Sequence, residues 1–409
     1  MERFDPIESF ANLRHEFGEH GGVNSSIEAS TTFTVIAAET MPQIFQGLRG
    51  PEDAGGGCYL YGRHFNPTVY VLGKQIAAYE GSESAYCTAS GMSAIAATLL
   101  QLTSHGDHVV ASDTVYGGTF ALLRDYLPAK TGLDVTFVDF TNLAAVEKAM
   151  TERTRVLYGE TISNPTLAVA DIPRLAEIAH GRGARLVVDN TFAPLIVSPI
   201  HLGADVVVHS LTKFMNGASD IIAGAICGST QFIMDLMDPH TGSLMLLGPT
   251  MDPKVAFNIS LRLPHLGIRM AEHCRRAMTF AERLAELRVP VIYPGLATHP
   301  THAVLDRIGN TSLGYGGILA IDLGDARRAN EFMEILQNKD RFGFIAVSLG
   351  FFETLMSCSA STTSSEMPED ARARAGIAPG LVRLSVGYTG TLEQRWRQLH
   401  DALEILNLA

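Results

Sequence analysis

Short β-rich runs recur along this 409-residue chain from about residue 66 onward, and helix-like stretches separate them. The runs lie at residues 107–111, 135–138, 155–158, 186–188, 206–208 and 223–227, and the stretches between them include residues 143–150 and 172–180. Strands that are apolar at successive positions suit a sheet that is covered on both faces. Because strands alternate with helices, the chain is predicted to have an α/β fold with a mainly parallel central sheet and helices on both faces.

The same pattern predicts three regions. Residues 1–65 contain glycine-rich stretches and few periodic apolar positions, so we expect an N-terminal arm that contacts a neighbouring subunit. Residues 66–265 are predicted to form a large cofactor-binding domain, since a chain of this length has room for one large domain and a smaller one. A long helical region from about residue 254 to 288 leads into the smaller α/β domain, predicted at residues 266–409. Its strand-like runs are residues 318–321 and 382–386.

Composition argues against several classes of protein. The net charge is −12, and a nucleic-acid partner usually requires a clustered basic surface. The five cysteines are scattered without a C-x-x-C pair, which disfavours a zinc site or a disulfide framework. His15 and His20 stand five positions apart and miss the H-E-x-x-H spacing of a zinc helix. The N-terminus is too acidic and polar for a signal peptide, so we expect a cytoplasmic protein without a metal or membrane partner.

Lys213 is the first candidate for catalysis. It follows the apolar run at residues 204–208 and is flanked by the hydroxyls of Ser210 and Thr212. Asp189 ends a second buried run. A pyridoxal phosphate enzyme needs a lysine that forms a Schiff base with the aldehyde and an acid that keeps the ring nitrogen protonated. Burial is expected to lower the pKa of Lys213 and so make it a better nucleophile.

The phosphate of such a cofactor has a candidate site as well. Gly91 and Met92 lie between a strand-like run that ends at Cys87 and the helical stretch that begins at Ala94. A turn of this kind at a helix start presents free N–H groups and the positive end of the helix dipole to an anion. The alternative is an ordinary serine N-cap at Ser90.

Two other residues carry chemical signals. Tyr116 follows a strand and precedes a helix, where it either stacks on the cofactor ring or packs as a core aromatic. Arg383 stands inside an apolar strand and therefore needs an anion, either a substrate α-carboxylate or a structural partner.

Alternative interpretations exist for the other candidates. Asp189 could be an ordinary strand-end cap, and Lys213 could be a surface lysine. A nicotinamide-dependent oxidoreductase also fits the alternating pattern, but the chain lacks its G-x-G-x-x-G fingerprint.

Taken together, these motifs resemble the Cys/Met-metabolism family of pyridoxal phosphate enzymes, the trans-sulfuration enzymes. The resemblance covers nearly the whole chain, and it is closest to the plant-type members that cleave methionine. The residues that carry it lie at positions 61–68, 90–92, 116–119, 160, 164–165, 189–191, 210–213, 348–350 and 383–387, and the closer similarity lies at positions 14–24 and 242–250. The resemblance implies the aspartate-aminotransferase-like fold, known as fold type I.

It also implies a role for each candidate residue. Lys213 is expected to anchor the cofactor and carry protons, Asp189 to pair with the ring nitrogen, and Tyr116 to stack on the ring and protonate the leaving thiol. The phosphate would be bound by Gly91, Met92, Ser210 and Thr212, and by Tyr61 and Arg63 of the neighbouring subunit. The substrate carboxylate and the phenolic oxygen of the cofactor would be positioned by Asn164, Ser348 and Arg383. Such sharing makes a dimer the smallest active unit, and members of the family are typically tetramers.

The reaction implied is a γ-elimination that converts L-methionine to methanethiol, 2-oxobutanoate and ammonia. Cystathionine γ-lyase and O-acetylhomoserine sulfhydrylase activities on the same fold are the alternatives. Two positions depart from relatives of this kind. Gly118 stands where many bacterial methionine-cleaving enzymes have a cysteine, and Val69 stands where enzymes acting on cystathionine usually have an arginine. An apolar residue at position 69 suits a small thioether.

Overall fold

A computed structural model describes residues 4–13, 17–46, 48–50, 59–362 and 368–408 of the chain. His15 and the glycine run at residues 55–57 lie outside the described residues.

Two β-sheets organise the described chain. The first contains the strands β1 Ser84–Thr88, β2 His108–Ser112, β3 Asp134–Val138, β4 Thr154–Glu160, β5 Arg185–Asp189, β6 Val206–His209 and β7 Gly224–Gly228. Their spatial order is β1-β7-β6-β5-β4-β2-β3. The second sheet contains β8 Val291–Ile292, β9 Ile318–Asp322, β10 Gly343–Ile345, β11 Thr354–Cys358 and β12 Leu381–Ser385, in the order β10-β11-β12-β9-β8.

The predicted strands of the first sheet are present, and their pairing is mainly parallel. From β3 to β6 every neighbouring pair is parallel, whereas β7 runs antiparallel to both β6 and β1. The run at residues 223–227 therefore departs from parallel pairing. It follows β6 without an intervening helix, and a parallel neighbour would need a crossover connection. The α/β fold class is confirmed.

Helices cover these sheets. Along the chain they are α1 Pro6–Ala11, α2 Thr40–Phe45, α3 Pro67–Glu80, α4 Gly91–Leu102, α5 Gly117–Ala121, α6 Leu127–Thr131, α7 Leu143–Ala149, α8 Ile172–Gly181, α9 Thr230–Leu236, α10 Ser243–Leu247, α11 Pro253–Ser260, α12 Leu266–Glu286, α13 His302–Ile308, α14 Ala326–Glu334, α15 Glu369–Arg374 and α16 Leu392–Ile405. The predicted helical region at residues 254–288 is interrupted between α11 and α12 by a 3₁₀ turn at Leu263–His265. Pro264 lies in that turn, and a proline cannot donate the helix hydrogen bond. No helix of the described chain is long and apolar enough to cross a membrane.

The strands of the first sheet are buried because apolar residues occupy both faces. Val207, Val208 and Leu186 are almost inaccessible to solvent. A second cluster, centred on residues such as Phe280, Phe332 and Leu384, packs around the second sheet. The domain limits at residues 65/66 and 265/266 stay a prediction.

Parallel strands bring functional side chains to one edge of the first sheet. Glu160 ends β4 and Asp189 ends β5, and the two residues are in register. Lys213 follows β6, the next strand of the sheet, by four residues. Because the carboxyl ends of parallel strands meet at one edge, residues distant in sequence face the same space there.

Gly350 joins the second sheet to the lysine segment. Its φ is +77°, and a β-carbon built on it would lie 2.5 Å from Phe214 N and 2.8 Å from Lys213 C. Its N–H donates to Ser385 Oγ at 2.8 Å. Only a residue without a side chain permits such an approach between two backbones.

We predict that Gly350→Ala lowers stability more than Gly324→Ala, measured as the free energy of unfolding in denaturant. Gly324 also has a positive φ of +84°, but nothing lies within 4 Å of its built β-carbon. The control should therefore cost about 1–2 kcal/mol from backbone strain alone, and Gly350→Ala about 1–3 kcal/mol more from overpacking. Equal losses for the two variants would contradict the close approach at Gly350.

Candidate active site

A cavity of about 390 Å³ opens at the carboxyl edge of the first sheet, where the second sheet approaches it. The predicted residues that line it are Gly91, Met92, Tyr116, Asn164, Asp189, Ser210, Thr212, Lys213, Ser348 and Arg383. Ser90, predicted as a possible N-cap, also lines it, and the lining residues with no predicted role are Ile95, Glu160, Ile162, Thr191, Phe192, Ile222, Val347, Leu349 and Thr362. A larger cavity of about 680 Å³ lies elsewhere, around Arg185 and Asp205. Those two side chains already form an ion pair at 2.7 Å, so the smaller cavity is the candidate site.

Lys213 projects from the turn after β6 into the cavity. Its ammonium donates to Ser348 Oγ at 2.7 Å. Burial and the nearby Arg383 lower the pKa of Lys213 to about 8, although Asp189 acts in the opposite direction. The expectation of a desolvated lysine is therefore confirmed, and the amine is more readily deprotonated than an ordinary lysine.

Asp189 presents a buried carboxylate to the same cavity. The Thr191 N–H donates to Asp189 Oδ1 at 3.0 Å and orients the group. Burial raises the pKa of Asp189, while the bonds from Thr191 and the charges of His209 and Lys213 lower it. A carboxylate in this position needs a cationic partner to remain ionised.

The N-terminus of α4 forms another wall of the cavity. Ser90 caps the helix, since its Oγ accepts from Ser93 N at 3.1 Å and Ser93 Oγ accepts from Ser90 N. The N-cap interpretation is thus correct, and it leaves the first N–H groups of the helix, those of Gly91 and Met92, without partners inside the helix. A β-carbon at Gly91 would lie 2.8 Å from Ser210 Cβ, so glycine keeps this space open.

The two hydroxyls beside Lys213 differ in their surroundings. The backbone N–H of Ser210 donates to Thr191 Oγ1 at 2.8 Å. The Thr212 hydroxyl donates to Ala223 O at 3.2 Å and accepts from Ala223 N at 3.0 Å. The Thr212 hydroxyl must therefore stop donating to Ala223 O before it can donate to a phosphate.

Arg383 lies on the opposite side of the cavity, in β12. It is only 2% exposed, and burial lowers its pKa to about 10. Its guanidinium donates to Asn164 Oδ1 and to Ser348 O, both at 2.9 Å. Its Nε has no hydrogen-bond partner among the described residues. A buried donor without a partner is unusual in a folded protein and marks Arg383 as a candidate for binding an anion.

Glu160 has no predicted role, yet it connects two predicted residues. Its Oε1 accepts from Tyr116 N at 2.7 Å and its Oε2 accepts from Asn164 N at 2.9 Å. Burial, and after it the neighbouring Asp189, raises the pKa of Glu160 well above its usual range, although these two N–H groups and Arg383 act in the opposite direction. The available sequence signal was an acid at the end of a buried run, the same signal that selected Asp189.

Tyr116 stands at the start of α5 and is 43% exposed, so it is not a packed core residue. Gly118 packs directly beneath its ring. A β-carbon at Gly118 would lie 2.6 Å from Tyr116 Cε1 and 3.2 Å from Met92 Sδ. A cysteine at this position would therefore displace the tyrosine ring, which the glycine leaves in place.

Tyr61, Arg63 and Val69 do not line the cavity of their own chain. Tyr61 is 46% exposed, and Arg63 donates to Met245 O at 2.6 Å. Val69 is buried in the core instead of at the rim of this cavity.

The donor set of the cavity fits pyridoxal phosphate. A desolvated lysine and a buried carboxylate extend from adjacent strands, and a helix N-terminus faces them across the space that Gly91 keeps open. These are the groups that the aldehyde, the ring nitrogen and the phosphate of this cofactor require. The fold and the site together define a pyridoxal phosphate-dependent enzyme of fold type I.

Comparison with known proteins leads to the same class of enzyme. The model of the family described as Cys/Met metabolism PLP-dependent enzyme matches residues 10–403, and this chain belongs to that family. A methionine gamma-lyase of Arabidopsis thaliana is 57% identical over 399 residues, which are 97% of this chain and 90% of that protein.

Solved structures extend the comparison. A cystathionine gamma synthase from Xanthomonas oryzae pv. oryzae has a TM-score of 0.86 and 30% identity, covering 98% of both chains. A putative O-acetylhomoserine (thiol)-lyase from Campylobacter jejuni has a TM-score of 0.88 and 26% identity, covering 98% of this chain and 100% of that one. That structure carries a pyridoxyl-lysine monophosphate.

We predict that Glu160→Gln lowers kcat/KM by about 10- to 100-fold, since a buried N–H left without an acceptor costs about 1–3 kcal/mol. An amide replaces one acceptor oxygen with an NH₂ group that faces the N–H of Tyr116 or Asn164. Glu147→Gln on α7 removes an exposed glutamate and is the matched control. If both variants keep the activity of the unaltered protein, Glu160 does not position these residues.

Proposed function

We propose that this protein is a carbon–sulfur lyase that cleaves L-methionine by γ-elimination and, with the uptake of one water, releases methanethiol, 2-oxobutanoate and ammonia. One observation carries the proposal: the charged groups of the cavity lie together, and its other lining residues carry no charge. Among the described residues, the charged lining side chains are Glu160, Asp189, Lys213 and Arg383. The apolar ones include Ile95, Ile162, Phe192, Ile222, Val347 and Leu349.

This division favours a substrate with one charged end. The α-amino and α-carboxylate groups of methionine need the charged region, and its thioether is neutral and apolar. Cystathionine carries a second amino-acid head, whose charges would find no free partner among the described lining residues. The Arabidopsis relative, which is named for methionine cleavage, supports the same choice.

The cofactor would be held by the residues around the charged region. Asp189 would pair with the ring nitrogen, and Tyr116 would stack on the ring. The N–H groups of Gly91 and Met92 and the hydroxyls of Ser210 and Thr212 would bind the phosphate, once the Thr212 hydroxyl no longer donates to Ala223 O. When bound, pyridoxal phosphate supplies an electron sink for the negative charge that develops beside the substrate α-carbon.

Lys213 anchors the cofactor and then serves as the proton carrier. Its lowered pKa of about 8 leaves a useful fraction of neutral amine near neutral pH. The amine removes the α-proton and later a β-proton, and the sulfur then leaves from the γ-carbon. Tyr116, half exposed at the cavity, donates a proton to the departing thiol.

The substrate carboxylate is bound by Arg383, with Asn164 and Ser348 beside it. Arg383 is buried and has an unpartnered Nε, so a carboxylate would satisfy a donor that is otherwise costly to bury. Asn164 and Ser348 hold the guanidinium in place through the bonds described above. Asn164 also lines the cavity and would contact the phenolic oxygen of the cofactor.

We further propose that two copies of the chain complete each site. Tyr61 and Arg63 are outside their own cavity and reach the phosphate in the neighbouring subunit. The N-terminal arm exposes apolar residues such as Ile36, which is fully exposed, and Leu48. Such a surface suits contact with a partner subunit. The homodimer is then the smallest active unit, a homotetramer is the assembled form, and the compartment is the cytoplasm.

Cystathionine γ-lyase and O-acetylhomoserine sulfhydrylase activities remain the alternatives. The second is favoured by the fold similarity to the Campylobacter protein. All three reactions use the same charged region, so substrate preference depends on the uncharged one.

We predict that methionine exceeds cystathionine in kcat/KM by about tenfold or more, because leaving a charged group unpaired costs more than about 1.4 kcal/mol. The measurement is 2-oxobutanoate release from methionine, cystathionine and O-acetylhomoserine, the last with and without sulfide. Lys213→Ala protein is the background control. A cystathionine rate above the methionine rate would overturn the substrate proposal, and sulfide-dependent turnover of O-acetylhomoserine above both would establish a transferase.

A further inference from the structure

A row of polar side chains lies just behind the cavity, on the other face of the first sheet. Glu160 and Asp189 are in register at the ends of β4 and β5. The next position on three adjacent strands is occupied by Thr161, Asn190 and His209. Because side chains alternate between the two faces of a strand, this row points away from the side on which Glu160 and Asp189 lie.

Glu80, at the end of α3, contacts two members of this row through one carboxylate oxygen. Its Oε2 accepts from Asn190 Nδ2 at 3.3 Å and is 2.8 Å from His209 Nε2. Asn190 Oδ1 accepts from Thr161 Oγ1 at 2.8 Å, and Asn190 Nδ2 also donates to Val197 O at 2.8 Å.

All four members of this Glu80 cluster, Glu80, Thr161, Asn190 and His209, are buried, and Glu80 Oε1 has no hydrogen-bond partner among the described residues. Burying a carboxylate is costly even when it has a partner. An apolar side chain at the end of α3 would avoid that cost, so the carboxylate calls for an explanation beyond packing.

Each member of the row is the immediate neighbour in sequence of a residue that lines the cavity. Thr161 follows Glu160, Asn190 follows Asp189, and His209 precedes Ser210. The backbones are also linked, since Thr161 N donates to Asp189 O and Asn190 N donates to Val208 O, both at 3.0 Å. A shift of any one of these strand ends therefore moves a side chain that lines the cavity.

We propose that Glu80 is a positioning residue: through Asn190 and His209 it fixes the ends of β4, β5 and β6, and with them the carboxylate and hydroxyl groups that hold the cofactor. His209 adds a charge effect in its protonated form, since a cation behind Asp189 favours the ionised carboxylate. The proposal deepens the proposed function, because it concerns the same cavity, but it does not depend on which sulfur substrate is cleaved.

Glu80→Gln and Glu80→Ala test the proposal on the full-length protein. Glutamine keeps the shape and one acceptor oxygen but removes the charge, whereas alanine removes the acceptor altogether. The measurements are the dissociation constant for pyridoxal phosphate by equilibrium dialysis, the circular dichroism of the bound cofactor, and kcat and KM separately.

We expect Glu80→Gln to weaken cofactor binding about tenfold and Glu80→Ala more, with an altered cofactor dichroism signal and a fall in kcat that exceeds any change in KM. Met333→Ala is the control, since it creates a cavity in the second cluster and lowers stability without touching the row. It should leave cofactor affinity and the dichroism signal unchanged.

Unchanged cofactor affinity and dichroism in Glu80→Gln would overturn the inference. An equal loss of affinity in Met333→Ala would overturn it too, because the effect would then follow from stability alone. Should Glu80→Ala fail to fold, Glu80→Gln alone decides. If the unaltered protein binds the cofactor but does not release 2-oxobutanoate, the proposed function fails, while a tenfold effect of Glu80→Gln on cofactor binding still supports the positioning role.

Discussion

Burial of charge at one edge of a parallel sheet is the constraint on which the rest of this structure depends. Lys213 and Arg383 bring basic groups to the cavity, and Asp189 and Glu160 bring carboxyl groups; all but the half-buried Lys213 are almost inaccessible to solvent. Ionised groups in such a place need compensating partners. Parallel strands supply them, because residues far apart in sequence end at the same edge, and β12 of the second sheet adds the arginine from the opposite side.

The two sheets therefore act on one site in different ways. The first sheet sets the positions of the groups for the cofactor, and the second sheet carries Arg383 and approaches through Gly350, whose backbone lies against Lys213. Ser348 connects the two contributions, since its hydroxyl accepts from Lys213 and its carbonyl from Arg383. A displacement of the second sheet would change the surroundings of the lysine and the arginine together.

Much of this arrangement could be predicted from the sequence, because several signals are local. Apolar runs located the strands, a lysine between hydroxyls located the anchor, and a serine before Gly91 located the helix start. Glu80 had no predicted role because its partners are distant in sequence: it meets His209 across 129 positions. Glu160 carried the same local signal as Asp189, but its contact with Tyr116 spans 44 positions and no pattern in the sequence indicates it. The bond between the Thr212 hydroxyl and Ala223 also depends on the antiparallel turn into β7, which no local pattern indicates.

The central claim is that Lys213 carries the cofactor. Borohydride reduction of the protein loaded with pyridoxal phosphate, followed by peptide mapping, tests it most directly. The chain has six lysines, and the other five, Lys74, Lys130, Lys148, Lys254 and Lys339, do not line the cavity. The account predicts a pyridoxyl adduct on the peptide that contains Lys213 and none in Lys213→Ala protein. A stoichiometric adduct on any other lysine would contradict it.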